Sequence, residues 1–365
     1  MLGEEGTKTI CEALEQNKTL KELDVRSNNI AGDGAEQISA TVLGNLKIEM
    51  FNKIPIKEMR ANSLTELDLN GKGVGVEGVM VVAGLIPVMG GLTSINLSNN
   101  QLCGVWTDFH GQHGTYTAEG ITAIADAMRV NGALTKLSLA KNKLGEEGTK
   151  FLCDALVGNN TLKELDLSGE HTYYKGIVSN IGGTAGAKHV ANMLLINGGL
   201  TSIDLSGNQL CGILEQGTYT AEGITAIADA MRVNGALTKM SLADNTLGEE
   251  GTKAICEALE QNKTLKQLDI SGTPPGCGGI IGGGSAGAKH VAKMLGINGT
   301  LTALDLSFIY LEDEGVGTVC EAIQNNKETK LASLNFTDNF IGPVGANAVA
   351  AMVAVTGALT QVLAF

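Results

Sequence analysis

Leu134-Thr135-Lys136-Leu137-Ser138-Leu139-Ala140-Lys141-Asn142-Lys143-Leu144 is the stretch from which the fold is read. Leu134, Leu137 and Leu139 fall on one side of a short extended segment, so the spacing predicts a strand with one apolar face turned inward. Asn142 follows where the chain must leave the strand. Its amide both donates and accepts, so it can satisfy backbone groups that no ladder reaches. A helix precedes the stretch. In Gly120-Ile121-Thr122-Ala123-Ile124-Ala125-Asp126-Ala127-Met128 the apolar residues recur at i, i+3, i+4 and i+7. The Asn131-Gly132 pair at its end predicts a left-handed cap.

The same unit recurs along the 365 residues, with strand-like segments beginning at Leu20, Leu64, Leu92, Leu134, Leu162, Leu200, Leu237, Leu265, Leu301 and Leu331. A weaker member lies around Leu43 to Ile54. The shortest clean spacing is 28 residues, as from Leu64 to Leu92. Periods of about 20–29 residues belong to leucine-rich repeats. The turn asparagine returns at Asn28, Asn100, Asn142, Asn208, Asn245 and Asn339, and Lys72, Glu170, Thr273 and Ile309 break the series.

A longer duplication overlies the repeat. Residues 92–199 align with 200–300 as blocks of three repeats, and Thr115 to Lys136 recurs unchanged as Thr218 to Lys239. Leu2 to Val25 matches Leu247 to Ile270 with three differences, which starts the chain in mid-repeat. Leu359 begins another strand-like segment that stops at Phe365. Neither end carries a polar cap of the kind solenoids need. Two expectations follow for the C-terminal end: another chain or further sequence covers it, or the apolar tail folds over it.

The L-x-x-L-x-L-x-x-N-x-L segments, Leu134–Leu144 and Leu237–Leu247 among them, and the following G-x-x-G-x-x-x-[LI] helix starts resemble the ribonuclease-inhibitor-like class of leucine-rich repeats. The near-identical blocks are similar to the tandem repeats of protist and algal proteins. The resemblance covers nearly the whole chain. It implies an α/β solenoid, 1–365 as one domain of about ten repeats. Strands sit about 4.8 Å apart and packed helices about 8–10 Å. The array is therefore expected to bend into a horseshoe, with a parallel sheet on the concave face and helices on the convex face.

Bulk properties narrow the function. A formal net charge of −13 argues against nucleic acid, whose phosphates need a basic surface. It suits a partner with a basic surface. Met1 to Glu5 has no basic or apolar leader region, and the apolar run Gly78 to Met89 is too short to span a bilayer. A cytoplasmic location is expected. Cys11, Cys153, Cys256 and Cys320 share one repeat position, and Cys103 and Cys211 another. That recurrence marks small buried slots in a reducing compartment, not a disulfide framework.

Two candidate partner surfaces emerge. The central strand position reads Asp24, Asp68, Asn96, Ser138, Asp166, Asp204, Ser241, Asp269, Asp305 and Asn335, six of ten being Asp and none basic. Asp68, Asp166, Asp204, Asp269 and Asp305 thus predict an acidic concave face for a basic partner, against the plain alternative of a solvated sheet face. Four repeats carry insertions between strand and helix, which stack on one rim. That rim holds the only Trp, four of five Tyr and three of five His residues. Exposed aromatics on loops commonly mark contact surfaces, and Trp106, Phe109, Tyr116, Tyr173 and Tyr174 are the rim candidates. Mutual packing into a local mini-core is the alternative.

Chemical sites fare worse. Gly282 to His290 follows a strand and precedes a helix, but Ala288 separates Gly287 from Lys289 and His290 stands where a P-loop has a hydroxyl. Asp108, His110 and His113 are loosely spaced for zinc and no fourth ligand is evident. No catalytic residue, cofactor or metal is expected. The reading is a protein-interaction scaffold or assembly subunit. The alternatives are a regulator of another enzyme, inhibitor-like or GTPase-activating-like, and the recognition portion of a larger sensor.

Overall fold

A computed structural model describes residues 2–108, 111–172, 176–213, 218–272 and 284–364. The chain divides into two compact units, Met1–Leu167 and Ser168–Phe365.

In the first unit, strands Glu66–Asp68, Ser94–Asn96, Lys136–Ser138 and Glu164–Asp166 pair in parallel, with Leu67, Ile95, Leu137 and Leu165 in register. Glu22–Leu23 pairs in parallel with Met50–Phe51. Helices Gly3–Gln16, Asp33–Gly44, Ile56–Arg60, Gly75–Leu85, Glu119–Val130 and Gly145–Leu156 alternate with these strands. The second unit repeats the plan. Its parallel strands are Ser202–Asp204, Lys239–Ser241, Gln267–Asp269, Ala303–Asp305, Ser333–Asn335 and Gln361–Leu363. Its helices are Gly183–Ile196, Glu222–Val233, Gly248–Gln261, Gly284–Leu295, Glu312–Asn325 and Pro343–Val355.

The expected leucines make the core. Leu134, Leu137 and Leu139 are buried, and so are their counterparts Leu237, Met240 and Leu242. Ile121, Ile124, Ala125 and Met128 are buried on the helix Glu119–Val130. Each large aliphatic side chain taken out of water this way contributes about 1.5–3 kcal/mol. All six described cysteines are buried and free. Burial pushes the Cys103 and Cys211 thiols up to about 12, so they act as small apolar fillers.

Two sets of asparagines tie neighbouring repeats together. At the strand exits, Asn142 Oδ1 accepts the N–H of Asn100 at 2.8 Å, and its amide donates to the Leu97, Leu139 and Ala140 carbonyls. Asn245 does the same for Asn208 in the second unit. At the helix ends the left-handed cap expected at Asn131 is not formed. Asn131 is extended, with φ −82° and ψ 123°. Its Oδ1 instead accepts the N–H groups of Ala133 and Leu134, while its Nδ2 donates to Ile86 O of the preceding repeat. Asn234, Asn262, Asn298 and Asn326 repeat this arrangement. A left-handed glycine would cap the helix end but has no side chain to bridge to the preceding repeat.

The break expected at Glu170 is also closed. Asn180 is buried, and its N–H donates to Asn208 Oδ1 at 2.8 Å, the same link that Asn100 makes to Asn142. The insertion moves the asparagine along the sequence while its place in space is kept.

Candidate functional site

Strand alternation turns the non-leucine positions away from the core. In the second unit this sets Asp204, Ser241, Asp269, Asp305 and Asn335 side by side in register. Neighbours in such a row are about 4.8 Å apart. Each aspartate folds one carboxylate oxygen back onto its own chain. Asp204 Oδ1 accepts from Ser206 N at 2.9 Å, Asp269 Oδ1 from Ser271 N at 2.9 Å, and Asp305 Oδ1 from Ser307 N at 2.9 Å. That local turn fixes the side chain where the strand ends. Asp305 Oδ2 also accepts from Asn335 Nδ2 at 2.9 Å. The row floors a shallow depression of about 340 Å³, with Lys239 and Gln267 on its side. Burial raises the Asp269 carboxyl above the usual carboxylate range, and the Asp305 and Asp204 charges push it the same way.

The corresponding face of the first unit carries Asp24, Asp68, Asn96, Ser138 and Asp166. Asp68 is exposed and accepts from Asn70 N at 3.0 Å. Ser98 and Ser138 hydroxyls lie 2.6 Å apart, and Ser138 Oγ donates to Asp166 Oδ2 at 2.7 Å.

The insertions form hairpins: Val105–Asp108 with Gly111–Gly114, Glu170–Thr172 with Gly176–Val178, and Gly212–Ile213 with Thr218–Tyr219. Trp106 stands opposite His113, with ring centroids 5.7 Å apart and an interplanar angle of 25°. Phe109, Tyr173, Tyr174 and His110 lie outside the described residues. Tyr116 has an internal bond network. Its hydroxyl donates to Leu144 O at 2.6 Å and accepts from Gly148 N at 3.2 Å, which ties the rim to the start of the next helix. Tyr219 makes the same pair of bonds to Leu247 O and Gly251 N. Burial is the main cause that lifts both phenols to about 12. Gly145 and Gly248 make room for these rings. Each has a positive φ, and a Cβ there would come within 3.3 Å of the tyrosine ring.

One buried acid is missed by the sequence reading, although Val76 and Val79 flank it where Glu5, Glu147 and Glu250 have Glu and Thr. The helix-start position Leu/Val-Gly-x-Glu-Gly holds Glu5, Glu77, Glu147 and Glu250, and Glu314 occupies it in Leu311 to Gly315. Glu5, Glu147, Glu250 and Glu314 are exposed, whereas Glu77 is 4% exposed. Its Oε1 accepts from Asn52 Nδ2 at 2.9 Å. Burial pushes its carboxyl up to about 7, against the hydrogen bonds from its own backbone and Asn52. Among the described residues no group of three or more His, Cys, Asp or Glu is arranged to hold a metal ion. No helix there is long and apolar enough to cross a membrane.

A family model described as "Leucine Rich repeat" matches residues 16–39. Human NACHT, LRR and PYD domains-containing protein 13 is 34% identical over 118 residues, 30% of this chain and 10% of that protein. Human NACHT, LRR and PYD domains-containing protein 12 is 26% identical over 328 residues, 89% of this chain and 23% of that protein. Mouse ribonuclease inhibitor is 27% identical over 175 residues, 48% of this chain and 33% of that protein. The matched region thus spans a third or less of these relatives. Joined to the alternating helices and parallel strands, these likenesses support a leucine-rich-repeat fold similar to that of ribonuclease inhibitor.

Proposed function

We propose that the chain is a protein-interaction scaffold that holds a partner with a basic surface against its polar sheet face, helped by the strand-to-helix rim. The observation that carries this reading is the in-register row Asp204, Ser241, Asp269, Asp305 and Asn335. A parallel sheet normally has both faces covered. Here one face presents fixed carboxylates along the floor of a depression. Complementary charge on a partner would speed encounter and fix register. Asp68 and Asp166 would extend the acidic contacts in the first unit. Trp106 and Tyr116, with Phe109, Tyr173 and Tyr174, would supply the rim contacts. The setting would be cytoplasmic.

Relatives named as ribonuclease inhibitor and as NACHT, LRR and PYD proteins favour a second reading. In it, the chain regulates a bound enzyme or serves as the recognition portion of a larger sensor. Both readings require a protein held by the repeats.

Affinity capture from native lysate separates the surfaces. One bait is the unaltered chain, a second carries D204N, D269N and D305N, and a third carries W106A. The proposal expects one stoichiometric partner, reduced about tenfold or more by the triple change and eluted by moderate salt. A partner held equally by all three baits, or no partner at all, would count against it.

A further inference from the structure

Glu77 is a buried acid with no cationic partner of its own. Its Oε1 is held by Asn52, and among the described ion pairs none includes it. A buried carboxylate without a counter-charge is costly to ionise. The same helix position in four other repeats sends its glutamate to solvent. Glu77 borders a pocket of about 310 Å³ on the strand-to-helix edge of the first unit. Glu77 forms part of its wall, together with Trp106, Gln101, Asn29 and the backbone of Gly75. None of the residues that line it is basic. A Cβ on Gly75 would come within 2.7 Å of Glu77 Oε2, so glycine there leaves the second carboxylate oxygen its room. The Trp106 ring lies against Gly114, where a Cβ would come within 2.9 Å of it.

We propose that this pocket receives one arginine side chain of a partner protein, its guanidinium on the Glu77 carboxylate and its edge or face against Trp106. An acid and an indole are the two groups that attract a desolvated cation most strongly, one by charge and the other by its ring quadrupole. A volume near 300 Å³ is at the small end of ligand pockets and suits a single side chain. The proposal rests on the interaction reading and names the chemistry of one contact within it.

The charged neighbours do not replace that cation. Arg26 is bound by Asp24 Oδ1 and Oδ2 and donates to Lys72 O at 2.6 Å. Asp24 acts on Glu77 only through its charge, as a repulsion. Glu119, on the helix packed beside Gly75–Leu85, accepts from Gly32 N at 2.9 Å. His113 stacks on Trp106. The strand-to-helix edge therefore offers the pocket a negative environment.

Trp106 is the only tryptophan, so intrinsic emission reports on this pocket directly. The probe is N-acetyl-arginine methylamide, titrated to tens of millimolar because one side chain binds weakly. The neutral isostere N-acetyl-citrulline methylamide is the control. A saturable change with the arginine probe and none with citrulline is expected. Its affinity should rise about tenfold from pH 6 to pH 8, because a carboxyl titrating near 7 goes from about one tenth to about nine tenths ionised. Glu77→Gln should weaken binding about tenfold or more and remove that pH dependence, with an unaltered circular dichroism spectrum as the check on folding. Equal responses to arginine and citrulline, or retained binding in E77Q, would overturn the assignment. A failed titration beside a successful partner capture would sink the pocket and leave the scaffold standing.

Discussion

Asn245 offers the sharpest test of how the repeats are joined. Its side chain is 1% exposed. It accepts the N–H groups of Asn208 at 2.9 Å and Leu210 at 3.3 Å. It donates to the carbonyls of Leu205 at 2.9 Å, Leu242 at 2.9 Å and Ala243 at 3.1 Å. Asn245→Ala leaves the two N–H groups buried without this acceptor, while the Leu205 carbonyl keeps the bond from Asn208 Nδ2 at 3.0 Å. Each orphaned group costs about 1–3 kcal/mol. Water entering the space left behind recovers part of this, so the expected loss is about 2–4 kcal/mol. Asn160, exposed on the surface, serves as the control, and its change to alanine should stay within about 0.5 kcal/mol. Urea unfolding followed by circular dichroism gives the stability difference. Amide hydrogen exchange at Asn208 and Leu210 shows whether the loss is local, since repeat arrays need not unfold in one step. A loss below about 1 kcal/mol, with exchange at these amides unchanged, would refute the bridging role.

Glu77 makes stability depend on pH in an unusual direction. Its folded value of about 7 lies above the ordinary 4.5, so the folded chain holds the proton more tightly, and stability falls as pH rises from about 4.5 to 7. The full effect is about 3 kcal/mol, and E77Q should recover most of it at pH 8 in urea titrations and none at pH 4. Tyr219→Phe removes the donor to Leu247 O and the acceptor of Gly251 N, and should lower stability by about 1–2 kcal/mol in the same assay. Lys141 holds a φ of 57°, so Lys141→Gly relieves left-handed strain and should raise stability by about 0.5–1 kcal/mol, measured by the urea midpoint. Gly248→Ala does the reverse, because φ is 60° and the new Cβ would meet the Tyr219 hydroxyl at 3.1 Å; a loss of about 1–2 kcal/mol is expected in thermal melts.

The strands were legible because their signal is carried by side chains that must be buried. Leu67, Ile95, Leu137 and Leu165 could be placed from spacing alone, and they fall in register. The turn asparagines were legible only where the repeat length was undisturbed. Asn180 and Asn52 fill ladder places from outside the nine-residue pattern, which fixes a place in sequence and not in space. The cap at Asn131 was misread because Asn-Gly suits a left-handed turn locally, whereas the bond to Ile86 O is made by the neighbouring repeat. Glu77 shares the glycine frame of Glu147 and Glu250, with Val76 and Val79 where those copies have Glu and Thr, and its hydrogen-bond partner Asn52 lies 25 residues away. Of the rim aromatics, Tyr116 has its hydroxyl engaged by the next repeat, a bond that aromatic content could not forecast.

Carboxyl footprinting of the captured complex tests the central claim most directly. The free chain and the partner-bound chain are treated with carbodiimide and an amine, and labelled residues are read by mass spectrometry. The account predicts that Asp204 and Asp305 lose labelling when the partner is bound, while exposed helix carboxylates such as Glu249 and Glu257 keep theirs. Equal labelling of Asp204 and Asp305 with and without the partner would contradict it.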